Sequence, residues 1–340
     1  MTGRPVTSTE AAGSEVTSNE VTSTKAASAE LTAAQVDGVL ALAGAATAAD
    51  GVAPLSEHVL LHLRYDRSDP ATGPDPGAAR DVVLTVAGEI AGYAHLDLQE
   101  TEASGELVVH PGRRGQGLGR ALVRELTAAA DGRALHVWAH GDQPAAARLA
   151  AAAGFERFRA LWQMRRALRD RLDQPAFPAG RTLRTFVPGQ DEEEWLSLNS
   201  RAFAQHPEQG GWTRHDLELR EREPWFDPAG FFIATRDGVM AGFHWTKVHP
   251  PGEQDGPGEA GTGPGGEGPA IGEVYVVGVD PAEQGSGLGR ALTLAGLHHL
   301  RAAGLAEVML YVDEDNVPAI RLYEALGFAR TRTDAMYRQP

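Results

Sequence analysis

The chain has 340 residues, a formal net charge of -15 from 31 basic and 46 acidic residues, and no cysteine. That excludes disulfides, thiolate nucleophiles and cysteine-ligated metals, and an acidic balance without a basic cluster argues against nucleic acid and anionic membranes. No apolar run approaches the roughly 20 residues of a membrane span, so a soluble, cytoplasmic, monomeric protein acting on a small molecule is expected, with room for two domains of roughly 150 residues.

Residues 1–30 mix Ser, Thr, Ala, Glu and Val without an aromatic residue and are expected to be a disordered tail. Apolar spacing predicts a helix over 31–42, continued after a turn by HVLLHLRY (58–65), and Asp81–Leu98 reads as two strands joined near Gly88 and Glu89. A glycine-rich loop follows, then a helix to about Ala130, a strand at 134–140, a helix at 144–153 stopped by Gly154, and a strand at 161–166. From about Thr182 the order is retold: a helix at 192–203, a polar loop with a further helix, strands at 231–236 and 241–248, a Gly, Pro and Glu insertion, a strand at 273–280, a second glycine loop and helix, the strand EVMLYVD, a helix at 318–326 and a closing strand. Strands alternating with helices give an α/β or α+β fold with a mixed sheet. The expected division is a first domain at 31–167, a linker at 168–181 and a second domain at 182–340 with a flexible insertion at 250–271.

The segment Val108–Leu122 returns as Gly278–Leu292, position for position, so one domain is present twice. Each copy passes from an apolar strand through a glycine loop into a helix, an arrangement in which backbone N–H groups and the helix dipole receive an anion. A P-loop needs Gly-Lys-Ser/Thr, absent from both copies, and a dinucleotide fingerprint needs G-x-G-x-x-G, whereas RRGQGLG and EQGSGLG place glycines at alternate positions. What remains is R/Q-x-x-G-x-G, at Arg114-x-x-Gly117-x-Gly119 and Gln284-x-x-Gly287-x-Gly289.

With that loop, and with DEDNVPAIRLYEALGF (313–328) following it, the chain resembles the GCN5-related N-acetyltransferase (GNAT) superfamily. The resemblance implies tandem GNAT domains with acetyl-CoA as cosubstrate, one in each half. The active one would lie along Val277, Gly278, Val279, Gln284, Gly285, Ser286, Gly287, Leu288, Gly289 and Arg290, and along Asn316, Val317, Pro318, Ala319, Ile320 and Arg321. The second would lie along Leu107, Val108, Val109, Gly115, Gln116, Gly117, Leu118, Gly119 and Arg120. It also implies that Tyr323 points its hydroxyl at the CoA sulfur. Aligning the two copies puts Ala150 opposite Tyr323, Gln143 opposite Asn316 and Ala103 opposite Glu273, with Glu102 and Glu106 close by, so only the second half is expected to be catalytic. Glu273 is the candidate base and Tyr323 the candidate acid. By strand alternation Glu273, Tyr275, Val277 and Val279 are expected to share one face, and the splayed strand end is expected to offer a backbone N–H to the oxyanion.

Segments such as VAPLSE (52–57), HPEQGGWT (206–213), WFDP (225–228) and GFHWTKVHP (242–250) are similar to a tandem branch of the superfamily that acetylates the cysteinyl amine of a cysteinyl-glucosaminyl-inositol. This implies acceptor contacts from Glu57, Glu208, Lys247, Glu273 and Tyr311. Lys247 is the one lysine outside the tail, Arg serving elsewhere, which suits a compact donor to sugar or inositol oxygens. No metal is expected, His206 and His249 showing no ligand spacing. Alternatives are a tandem acetyltransferase for an aminoglycoside or a protein N-terminus, and a non-catalytic CoA-sensing module.

Overall fold

The computed structural model describes residues 21–27, 31–65, 79–251 and 269–339. The first half runs β1 (Val21–Ala27), α1 (Ala33–Asp50), α2 (Glu57–Tyr65), β2 (Ala79–Val86), β3 (Glu89–Leu98), β4 (Glu102–Val109), α3 (Leu118–Ala130), β5 (Ala134–Ala139), α4 (Pro144–Ala152) and β6 (Glu156–Ala167). The second runs β7 (Arg181–Thr185), α5 (Glu192–Ala202), α6 (Pro207–Gly210), α7 (Arg214–Glu221), β8 (Phe231–Arg236), β9 (Val239–His249), β10 (Ile271–Val279), α8 (Leu288–Ala302), β11 (Glu307–Asp313), α9 (Val317–Ala325) and β12 (Ala329–Arg338).

The described strands join one 12-stranded sheet in the order β1-β2-β3-β4-β5-β12-β6-β11-β10-β9-β8-β7. Among them only β4·β5 and β10·β11 are parallel, which makes the sheet mixed, as expected. The order reads alike from both ends except at the centre, where the closing strands have changed places. β12 lies beside β5 of the first half, and β6 lies beside β11 of the second. The division at 167/182 therefore divides the chain but not the sheet. Ala335 and Tyr337 of β12 pack into the first half's core against α3, while Met164, Leu168 and Leu172 pack with α8 of the second. The linker is thus anchored by buried leucines.

Helices cover both faces of each half. In the first, α3 presents Leu118, Leu122 and Leu126 to one face, and α1 and α2 bring Val36, Val39, Leu42 and Val59 to the other. In the second, α8 packs on one face and an aromatic cluster of Trp195, Phe231, Phe243 and Trp245 fills the other beneath α5. No helix among the described residues is long and apolar enough to cross a membrane.

Three expectations need correcting. Residues 21–27 of the supposed tail form β1, an edge strand paired along β2; residues 1–20 and 28–30 lie outside the described residues. Of the insertion at 250–271, residues 252–268 lie outside them too, and Ile271 already belongs to β10. Arg181–Thr185 form β7, a polar edge strand that lacks an apolar signal.

Candidate active site

β10 carries the candidate base. Its register with β9 shifts between Val274 and Val276, leaving Tyr275 as the extra residue of a bulge. The shift overturns the expected common face of Glu273, Tyr275, Val277 and Val279. Tyr275 and Val276 both pack on the aromatic side, whereas Val277 and Val279 face α8. Upstream of the bulge Glu273 stands across from Lys247, as Ser104 of the unbulged β4 stands across from Asp97. Ser104, not Ala103, is thus the counterpart of Glu273. Glu106 is buried, accepting from the Ser56 N–H at 2.6 Å and lying 3.6 Å from His140 Nε2.

Pairing of β10 with β11 ends at Val274, and that of β4 with β5 at Glu106. Beyond these points the ladders stop, so the backbone of Tyr275–Val279 and of Leu107–Val109 has no strand partner on that side. The glycine loops close the same end. Gly115 and Gly117 have φ of 77° and 86°, Gly285 and Gly287 of 77° and 89°, left-handed values that other residues adopt only with strain. Gly117 and Gly287 also begin α3 and α8 and carry no capping side chain; the Leu288 N–H donates to Ser286 Oγ at 3.3 Å, and the remaining first-turn N–H groups suit an anion such as a pyrophosphate. Gln116, like Ser286 and Gln284, is exposed on these loops, Arg120 is exposed in the first turn of α3, and Arg290 is held 2.9 Å from Asp173. Leu118, Leu288 and Ile320 turn their side chains into the core and can offer a ligand only their backbone. Asn316 caps α9 by accepting from the Ala319 N–H at 3.2 Å, Pro318 sits in the first turn, and Val317 and Arg321 are exposed.

Tyr323 lies on α9, its ring 5.8 Å from that of Phe328 and packed in the cluster that contains Val277. Burial among these groups pushes its phenol up to about 12. Ala150 is its counterpart: the Phe155 N–H donates to Ala150 O as the Phe328 N–H donates to Tyr323 O. The first half therefore has neither the phenol nor a carboxylate at the base position.

The acceptor candidates form two groups. Glu57, the first residue of α2, receives Lys247 Nζ at 2.5 Å and the Tyr275 hydroxyl at 2.7 Å, linking the two halves. Lys247 Nζ also lies 4.5 Å from the centre of the Trp225 ring, and Arg220 Nε donates to the Tyr275 hydroxyl at 2.8 Å. Burial opposes the charge of Glu57, but Lys247 and Arg220, with hydrogen bonds from Lys247 and Tyr275, hold it below the usual carboxylate range. Glu273 adjoins this group and meets His249 Nε2 at 2.6 Å. In the second group, Arg159 Nη1 of β6 donates to Glu208 at 2.9 Å and its Nη2 to Asp313 at 2.7 Å, and Gln163 Nε2 donates to the Tyr311 hydroxyl at 2.9 Å. Sequence reasoning missed Arg159, Arg220, Trp225, Tyr275 and His249 as site residues. Tyr275 and His249 lie two residues from Glu273 and Lys247 in strands already singled out, which was the available signal.

The pattern of the acetyltransferase (GNAT) family matches residues 193–328, and that of the acetyltransferase (GNAT) domain matches 79–157. Among solved structures, a tandem GNAT protein from the clavulanic acid biosynthesis pathway superposes with a TM-score of 0.66 at 25% identity, covering 94% of this chain and 98% of its own. A GCN5-related N-acetyltransferase from Sphaerobacter thermophilus gives 0.62 at 25% identity, with 93% and 95% covered. These define an acetyl-CoA-dependent acetyltransferase built from two GNAT domains. The mycothiol acetyltransferase of Thermobispora bispora is 58% identical over 87% of this chain and 92% of its own, and that of Thermomonospora curvata 57% identical over 87% and 91%. The chain belongs to the mycothiol acetyltransferase family.

Proposed function

We propose that the chain transfers the acetyl group of acetyl-CoA to the cysteinyl amine of 1D-myo-inositol 2-(L-cysteinylamino)-2-deoxy-α-D-glucopyranoside, giving mycothiol and CoA. The observation that carries this reading is the cluster of Glu57, Lys247, Tyr275, Glu273 and His249 beside the point where β10 parts from β11: its carboxylates suit an ammonium acceptor, and Lys247, which donates to Glu57, has further protons for the acceptor's hydroxyl oxygens. Glu273 takes the proton of the ammonium, directly or through water, so that the amine can attack. The backbone N–H groups left free where β10 parts from β11 receive the oxyanion, and Tyr323 donates to the departing sulfur. Glu208 and Tyr311 hold the distal hydroxyls. Glu57→Gln and Lys247→Met are expected to raise the acceptor KM about ten- to a hundredfold, the worth of a hydrogen bond to a charged group, with the acetyl-CoA KM unchanged. Steady-state kinetics check this, and an unchanged acceptor KM would remove both residues from the acceptor site.

Each half binds one acetyl-CoA in this reading, and only the second turns it over. The paired left-handed glycines support this, as does the absence of phenol and carboxylate from the first half. Gly287→Ala, which strains the loop by about 1 kcal/mol, should raise the acetyl-CoA KM about fivefold. Gly117→Ala should leave turnover within about twofold and weaken one of two binding events to the same degree. Calorimetric titration with acetyl-CoA separates them: a single binding event in the unaltered protein would remove the site in the first half.

A further inference from the structure

The first half brings together two histidines and a carboxylate that the reaction does not use. His95 and Asp97 lie on β3, and His58 lies in the first turn of α2. His95 Nε2 is 3.1 Å from Asp97 Oδ1, His58 Nε2 is 3.4 Å from the same oxygen and 3.3 Å from Oδ2, and the three ligand atoms all lie within 4.8 Å of one another. Donors about 3.3 Å apart are what tetrahedral zinc with bonds of roughly 2.0–2.1 Å requires.

The surroundings of His95 make the geometry more than a coincidence of polar residues. Its ring is 1% exposed, and its Nδ1 lies 2.8 Å from Asp81, which also accepts the Tyr93 hydroxyl at 2.6 Å. His95 faces a carboxylate at each nitrogen; with both nitrogens protonated it satisfies the two contacts as an imidazolium, and a metal ion at Nε2 takes the place of the second proton. A buried carboxylate on the far nitrogen is the arrangement that orients metal-bound histidines. His58 and Asp97 keep 49% and 35% of their side-chain surface exposed, which leaves an entry path and a position for water. Sequence spacing hides the set because α2 and β3 meet only in the fold.

We infer that His58, His95 and Asp97 form a binding site for a divalent transition-metal ion, zinc foremost, with Asp81 as the outer partner of His95. The ion pins the first turn of α2 to β3. Glu57 immediately precedes His58, so the same ion fixes the carboxylate that reaches Lys247 and Tyr275, a consequence that rests on the proposed acceptor site, whereas metal binding does not.

The test uses the full-length protein stripped with a chelator and titrated with Co²⁺, then with Zn²⁺ in competition. One equivalent of Co²⁺ should give the visible d–d absorption of a four-coordinate site, lost on adding Zn²⁺, and Zn²⁺ should raise the unfolding temperature. His58→Ala, at a half-exposed position that the fold tolerates, and Asp97→Asn should each weaken Co²⁺ binding at least about tenfold, whereas Glu57→Gln should not. Absence of the band in the unaltered protein, or equal binding by His58→Ala, would overturn the site. So would a metal-free protein at neutral pH whose ¹⁵N spectrum shows both His95 nitrogens protonated and unmoved by Zn²⁺. Metal binding by the unaltered protein together with an unchanged acceptor KM in His58→Ala would leave the site standing and remove only its hold on Glu57.

Discussion

Tyr323→Phe lowers kcat about a hundred- to a thousandfold while the dissociation constant of acetyl-CoA moves less than about threefold. The substitution deletes one oxygen and keeps the ring that packs against Phe328 and Val277, so neither helix packing nor the pyrophosphate loop is disturbed. Burial raises the phenol to about 12. It would be a poor donor to a thiolate in water, but a thiolate formed in the same apolar surroundings is raised by the same desolvation, so the two remain matched. The sign of the shift fixes the pH behaviour. The phenol stays protonated past its ordinary value of about 10, so the basic limb of the unaltered enzyme is not set by Tyr323, and the variant's deficit is constant across the neutral and mildly alkaline range. Pre-steady-state acetyl transfer, measured beside acetyl-CoA binding, checks this; a variant with unaltered kcat would reduce Tyr323 to a packing residue.

Glu273→Gln is distinguished by how its defect varies with pH. At neutral pH the loss in kcat is about a hundredfold or more, because the amide cannot accept a proton. An α-amino group has a pKa of about 7.7–8.0, so as the pH rises past that range the acceptor arrives deprotonated and the variant regains most of its rate. His249, 2.6 Å from the Glu273 carboxylate, retains an amide oxygen as partner, which keeps the site's shape. Rate measurements from neutral to alkaline pH read the effect. A deficit that does not narrow would mean that Glu273 positions the acceptor instead of taking its proton.

Features carried by a short stretch of chain were legible in the sequence. The doubled glycine loop, the α9 segment from Asn316 to Phe328, and the pairing of Tyr323 with Ala150 all follow from local spacing, and Gly117 and Gly287 take the left-handed backbone that glycine permits. Features that arise from strand register or from distant pairing were not. The bulge at Tyr275 inserts one residue into β10 but not β4, and that one residue changes the counterpart of Glu273 from Ala103 to Ser104. The exchange of β6 and β12 leaves no mark on the apolar pattern, because a strand beside β5 or beside β11 buries the same alternating side chains. Arg159 became visible only through that exchange, which carries a first-half strand to Asp313 and Glu208. The resemblance placed Glu57 and Lys247 at one acceptor, but their direct ion pair across the halves is a property of the joined sheet that no local spacing shows.

The most direct test of the account is acetyl-CoA-dependent release of CoA by the purified protein with the cysteinyl-glucosaminyl-inositol, set beside aminoglycosides and peptides bearing free N-termini. Turnover of the cysteinyl pseudodisaccharide at a kcat/KM at least about a hundredfold above every other amine is the predicted result, the margin expected when buried polar groups are matched by one acceptor and left unpaired by the rest. Turnover of another amine at equal or higher kcat/KM would contradict it.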